Sequence, residues 1–167
     1  VKPRNKKSLV NLEEADAIIE ELNRLKNNNY EGSIGIVTPY RAQANLIQKK
    51  LHENEELYNW LINIRGGSIN TVHLFQGDEK DIMLFSTVVT NDVNPNVMGF
   101  FKPNLFNVAI TRARAGLIIF GKQEDCINFG HDNLANLAKY ITDLADVSKT
   151  SDGSILPEYT SKYPHSF

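Results

Sequence analysis

Apolar residues Leu12, Ala15, Ile19 and Leu22 recur at helical spacing, and Asn11 followed by Glu14 forms a capping-box pattern ahead of them. The spacing predicts a first helix from Asn11 to the Asn27, Asn28, Asn29 stop. Ser33 to Thr38, SIGIVT, is a short β-branched run and predicts a strand. Thr38 then stands as a helix cap with Pro39 at the first helical position. Ala44, Ile47 and Leu51 line one face of a second helix ending near His52, and a third is expected over Glu55 to Ile62 before Gly66 and Gly67. Further along, Ser68 to Leu74 reads as a strand, and so does Asp81 to Thr90, whose core IMLFSTVV is apolar enough to be covered on both faces. A loop is expected from Asn91 to Lys102, then a helix from Leu105 to Ala113, a strand from Gly116 to Gly121, and a last amphipathic helix from Asp132 to Val147.

Strands alternating with helices, and too apolar for one-sided burial, predict an α/β fold: a mainly parallel sheet between two helix layers. The 167 residues, 41% of them hydrophobic, suit a single domain at 11–147. The basic opening VKPRNKKS makes 1–10 an arm or linker, and 148–167 is a polar tail. A formal net charge of −2 argues against a general polyanion-coating protein. One cysteine, Cys126, excludes an internal disulfide framework and a cysteine-rich zinc site, and no apolar run approaches the roughly 20 residues of a membrane span. The expectation is a soluble, cytoplasmic protein with no membrane partner and no metal site of its own.

The stretch FNVAITRARAGLIIFG poses a problem. On the expected helix, Leu105, Val108, Ala109 and Arg112 share a face, which puts an arginine on the apolar side. Arginine does not discharge by deprotonation, and a buried unpaired charge costs on the order of several kcal/mol. Arg112 therefore needs an anion, unless it snorkels past the helix end or pairs with Asp78 or Glu79. Three polar clusters lie beside predicted strand ends: TPYRAQ, TVHLFQGDE and NVAITRAR. Open parallel sheets bind ligands outside the carboxyl ends of their strands, so the three are expected on one rim. Singly, each has a plainer reading: Thr38–Pro39 as a cap, His73 as a structural histidine, Gln76–Gly77 as a turn, and Arg41 and Arg114 as solvated or surface-paired. A near match to a phosphate loop, GLIIFGKQ from Gly116 to Gln123, is rejected because its middle is a buried strand and Gln123 replaces the magnesium-binding hydroxyl.

In this order and spacing, TPYRAQ, TVHLFQGDEKD and FNVAITRARAGLIIFG resemble motifs IV, V and VI of superfamily 1 helicases, in the branch of the nonsense-mediated-decay RNA helicase and related DNA helicases. NLEEADAI resembles the helix that opens the second RecA-like domain there. The resemblance runs from Asn11 to Gly121, about two thirds of the chain. It implies a three-layer RecA-like domain of the P-loop NTPase type, the second half of an ATP-dependent helicase, inactive as an ATPase alone. Its ATP would sit against a first RecA-like domain, which would also carry the Mg2+ ligands. By the same resemblance Arg112 is the arginine finger, Gly77 and Glu79 line the nucleotide with Glu79 accepting from a ribose hydroxyl, and Gln76 couples nucleotide to nucleic acid. Thr38, Pro39, Tyr40, Thr71 and His73 would track a single strand of DNA or RNA through contacts that do not read sequence. The rivals are a RecA-fold binding module that has lost motor activity and a self-contained hydrolytic enzyme using His73, Asp78, Glu79 and Asp81.

Overall fold

Asn11 caps the first helix, α1 (Leu12–Asn27), its side-chain oxygen accepting from the Glu14 N–H at 3.1 Å. The helix stops at Asn28, and Asn29 turns the chain with φ 54°, a left-handed conformation that asparagine tolerates. A computed structural model of the chain describes residues 9–75, 78–89, 111–128 and 134–140. After α1 come β1 (Ile34–Thr38), α2 (Arg41–His52) and α3 (Glu55–Asn59), which Asn54 caps and which runs on as a π-helical turn, Trp60–Ile64. Gly66, at φ 58°, releases the chain into β2 (Ser68–Thr71). A 3₁₀ turn (Val72–Leu74), β3 (Lys80–Ser86), β4 (Ala113–Phe120), α4 (Gln123–Asn128) and a helix over 134–140, here α5, complete the described elements.

The four strands form one parallel sheet in the order β2-β1-β3-β4. Alternate side chains divide it between two cores. Ile34, Ile36, Leu84 and Phe120 pack on one face against Ala15, Ile18 and Leu22 of α1, Ile47 and Leu51 of α2, and Leu57, Trp60 and Leu61 of the α3 segment. Val37, Met83, Phe85 and Ile119 pack on the other against Val72, Phe75, Tyr40, Cys126 of α4, and Leu134 and Ala138 of α5. Leu9, the first described residue, also packs on this second core. Burial of both sheet faces accounts for the nearly continuous apolar strands, and the layering is the RecA-like α/β architecture expected from the sequence. Among the described residues no helix is long and apolar enough to cross a membrane.

Several expectations need correction. Thr38 does not cap α2; it is the last residue of β1, paired in register with Thr71, and the helix starts two residues later with Tyr40 at the cap and no side-chain cap bond. Pro39 accordingly precedes the cap. The strand expected to reach Leu74 ends at Thr71, and the one expected to reach Thr90 ends at Ser86, because Val88 adopts φ 57° and cannot continue a ladder. Most consequential is the arginine segment. Residues 105–110 lie outside those described, but Thr111 and Arg112 form a turn and Ala113 opens β4, three residues before the expected start at Gly116. Arg112 is therefore not on a helix face. The Lys80 N–H donates to the Arg112 carbonyl at 3.0 Å, which carries the β3–β4 ladder back to that residue. The α4 segment was not foreseen.

Candidate functional site

In a parallel sheet, residues just before two paired strands lie side by side. Glu79 precedes β3, Arg112 precedes β4, and Lys80 pairs with Ala113, so the ladder brings motif V and motif VI together at the N-terminal edge. Arg112 Nη1 stands 3.8 Å from Glu79 Oε1, an ion pair without a hydrogen bond. Arg114, two residues on and so on the same side of the strand, donates from Nε to Glu79 Oε2 at 3.2 Å. The Arg112 side chain is only 28% exposed, and its Nε is buried with no hydrogen-bond partner among the described residues. A guanidinium presents five donors in a rigid fork, and here the contact with Glu79 satisfies little of it. Arg112 is thus left with donors for a second anion, and a phosphate fits that need. Lys80 pairs with Asp78 at 3.2 Å. Asp81 accepts from both the N–H and the hydroxyl of Ser33 at 2.7 Å, and these bonds, aided by the charge of Arg114, hold its carboxyl below the usual range.

The other residues named from the sequence lie at the opposite edge. Thr38 ends β1 beside Thr71, which ends β2. Thr38 is fully buried, and its hydroxyl has no hydrogen-bond partner among the described residues. Pro39 and Tyr40 are buried too; the Tyr40 ring sits in the second core, where burial pushes its hydroxyl up to about 12. Thr71 is half-buried, and His73 lies in the 3₁₀ turn that follows it. The expectation of three clusters on one rim is therefore wrong. TPYRAQ and the start of motif V sit at the carboxyl ends of the strands, whereas Glu79 and Arg112 sit at the amino ends. Because β2 and β3 point the same way, Val72 lies at the carboxyl edge and Glu79 at the amino edge. Gln76 and Gly77 lie outside the described residues.

A buried polar network at the carboxyl edge escaped the sequence reading. Glu14, expected to close a capping box on the Asn11 N–H, instead accepts from the Asn11 side-chain amide (3.1 Å), the Ser86 hydroxyl (2.6 Å), the Thr87 hydroxyl (3.3 Å) and the Val88 N–H (3.0 Å). Gln43 of TPYRAQ takes over the box: its Oε1 accepts from the Asn11 N–H at 2.8 Å, while its amide donates to the Asn11 carbonyl and to Ser86. Burial raises the Glu14 carboxyl from 4.5 to about 7, against the opposing pull of its Ser86, Val88 and Thr87 donors. Its bonds to Val88 hold a β-branched residue in the left-handed region. Cys126 packs beside Thr87, and burial pushes its thiol up to about 12, which keeps it inert. The visible signal was a glutamate at the third position of a helix whose next turn on the same face carries Ala17 and Ile18. Among the described residues no group of three His, Cys, Asp or Glu is placed to hold a metal ion, so Mg2+ would find no dedicated cage in them.

Residues 1–124 match the AAA domain family. Similar proteins include Helicase sen1 of Schizosaccharomyces pombe, 35% identical over 127 residues that make up 72% of this chain and 7% of that protein. DNA polymerase alpha-associated DNA helicase A of Saccharomyces cerevisiae is 34% identical over 78% of this chain and 18% of its own length. Regulator of nonsense transcripts 1 of Dictyostelium discoideum is 41% identical over 58% of this chain and 7% of its own. The chain thus spans less than a fifth of the length of each of these relatives. With a parallel RecA-like sheet and motifs IV, V and VI in order, the chain belongs to the AAA domain family, in its superfamily 1 helicase branch.

Proposed function

We propose that this chain is the second RecA-like half of an ATP-dependent helicase and completes its ATP site in trans, from one domain to the other. The observation that carries the reading is Arg112: partly buried, set beside Glu79 at a strand edge, with a guanidinium nitrogen that has no partner among the described residues. When a first RecA-like domain presents ATP with Mg2+, the triphosphate supplies the anion and the scissile phosphoanhydride. Arg112 then donates to the γ-phosphate and stabilises charge on the transferring group, and Glu79 accepts from a ribose hydroxyl while Gly77 allows close approach of the backbone. Alone, the chain has negligible ATPase activity.

The nucleic acid runs along the carboxyl edge, where Thr38, Pro39, Tyr40, Thr71 and His73 meet one strand through hydroxyl and backbone groups that read no sequence. Because Thr38 is buried, its contact requires the strand to enter at the β1–β2 ends rather than lie over them. Seven residues of β3 separate the two edges, roughly 23 Å at about 3.3 Å per residue. Gln76, between Val72 and Glu79 in the chain, couples nucleotide to nucleic acid over that span. The test is Arg112→Ala in the full-length protein: nucleic-acid-stimulated turnover falls by about 10³- to 10⁵-fold with ATP binding retained. Near-normal turnover removes Arg112 from the role.

A further inference from the structure

Two arginines face Glu79, and they do so differently. Arg114 makes a true hydrogen bond, Nε to Oε2 at 3.2 Å, whereas Arg112 approaches Oε1 only to 3.8 Å. Arg114 is the more exposed of the two, 61% against 28%, and it also lies near Asp81, whose carboxylate is fixed in place by Ser33. Glu79 is thus hydrogen-bonded through Oε2 by Arg114, while Oε1 has only the longer ion pair with Arg112 and accepts no hydrogen bond from it. An exposed pair of this kind contributes little to stability, so the folded state gives no account of why two arginines should share one carboxylate.

We propose that Arg114 is a positioning residue: by holding Glu79 Oε2 it aims Oε1 at a ribose hydroxyl and spares Arg112 for the phosphate. The inference rests on the reading of Glu79 as the ribose acceptor. With Arg114 absent, Glu79 has Arg112 as its remaining cation, and the carboxylate turns toward the finger instead of the sugar. Arg114 therefore acts on nucleotide recognition, whereas Arg112 acts on phosphoryl transfer.

The experiment uses the full-length protein carrying this chain and measures steady-state hydrolysis of ATP, 2′-deoxy-ATP and 3′-deoxy-ATP with single-stranded nucleic acid present. Arg114→Ala is expected to raise KM for ATP about threefold to tenfold, the size expected for the net worth of one ordinary hydrogen bond, with kcat within about twofold. Its preference for ATP over the deoxy analogue shrinks toward that of Glu79→Ala, Arg114→Lys recovers part of it, and the double variant Glu79→Ala/Arg114→Ala shows no further loss. If Glu79→Ala still discriminates against both deoxy analogues, the ribose reading itself fails and the inference goes with it. If Glu79→Ala loses discrimination but Arg114→Ala keeps it, the ribose reading stands and the positioning role alone is overturned. A fall in kcat matching that of Arg112→Ala also overturns it, since it would place Arg114 at the phosphate.

Discussion

Replacing Glu14 with glutamine removes a proton-binding site from the interior while keeping the side chain's shape. Burial raises that carboxyl from 4.5 to about 7, so the folded chain holds its proton where the unfolded chain has released it. Below about pH 4.5 both states are protonated, and the stabilising contribution is fully present. As pH rises toward 7 the unfolded state binds fewer protons than the native state, and stability falls; above 7 both are ionised and the loss is complete. The difference between 4.5 and 7, at about 1.36 kcal/mol per pH unit, amounts to about 3 kcal/mol. Glutamine cannot titrate, and its NH2 brings two donors where the neutral carboxyl has one O–H among the polar groups of Asn11, Ser86, Thr87 and Val88, so Glu14→Gln starts about 1 kcal/mol less stable in acid. The variant then loses less as the pH rises and overtakes the native sequence near neutrality. Urea unfolding of this chain at several values between about pH 4.5 and 8 measures the effect. With an m-value of about 2 kcal/mol/M, the native midpoint drops by about 1.5 M more than that of the variant over this range. Parallel pH curves for the two proteins would refute the argument, because they would mean that Glu14 keeps its ordinary affinity for protons inside the fold.

Two further substitutions probe the sheet. A methyl group at Gly35 would fall 2.5 Å from Met83 Sδ and 2.7 Å from the tip of the Phe75 ring, so Gly35→Ala should cost about 1–3 kcal/mol in a denaturation experiment; an unchanged midpoint would show that the second core yields freely there. Thr38→Val removes a buried hydroxyl that has no partner among the described residues and should raise stability by about 1 kcal/mol. If the same change leaves single-strand affinity of the full-length protein untouched, Thr38 has no part in the nucleic-acid path.

The hydrophobic pattern was sufficient where each element buries one clear stripe. It located α1 with its asparagine cap, β1, α2 and the parallel layering, because apolar spacing and burial coincide in those segments. It failed at the start of β4, where Ala113, Arg114 and Ala115 are small or exposed and carry no strand signature, so the expected helix was extended over Thr111, Arg112 and Ala113, which form a turn and the first strand residue. It also failed at Val88, since nothing in a valine announces a left-handed backbone; that conformation depends on a carboxylate 74 residues earlier in the chain. Pairing of Arg112 with Glu79 stands among several sequence readings, beside snorkelling, pairing with Asp78 and an outside anion, and parallel register brings Glu79 to it. The separation of the clusters onto two edges required the strand directions, because a motif's place in the sequence does not say which end of the sheet it occupies.

The segment from Val72 to Glu79 has a thermodynamic corollary. Its described ends lie beside Thr71 at one end of the sheet and beside Arg112 at the other, so on the proposed reading a ligand that shifts one end would alter the free energy of binding at the other. Such an exchange is symmetrical at equilibrium: whatever factor a bound strand contributes to nucleotide affinity, the nucleotide must return in strand affinity. The residues between Thr71 and Lys80 would then set how strongly nucleotide and strand sense one another, and a change of sequence there would retune both affinities together, in the same proportion.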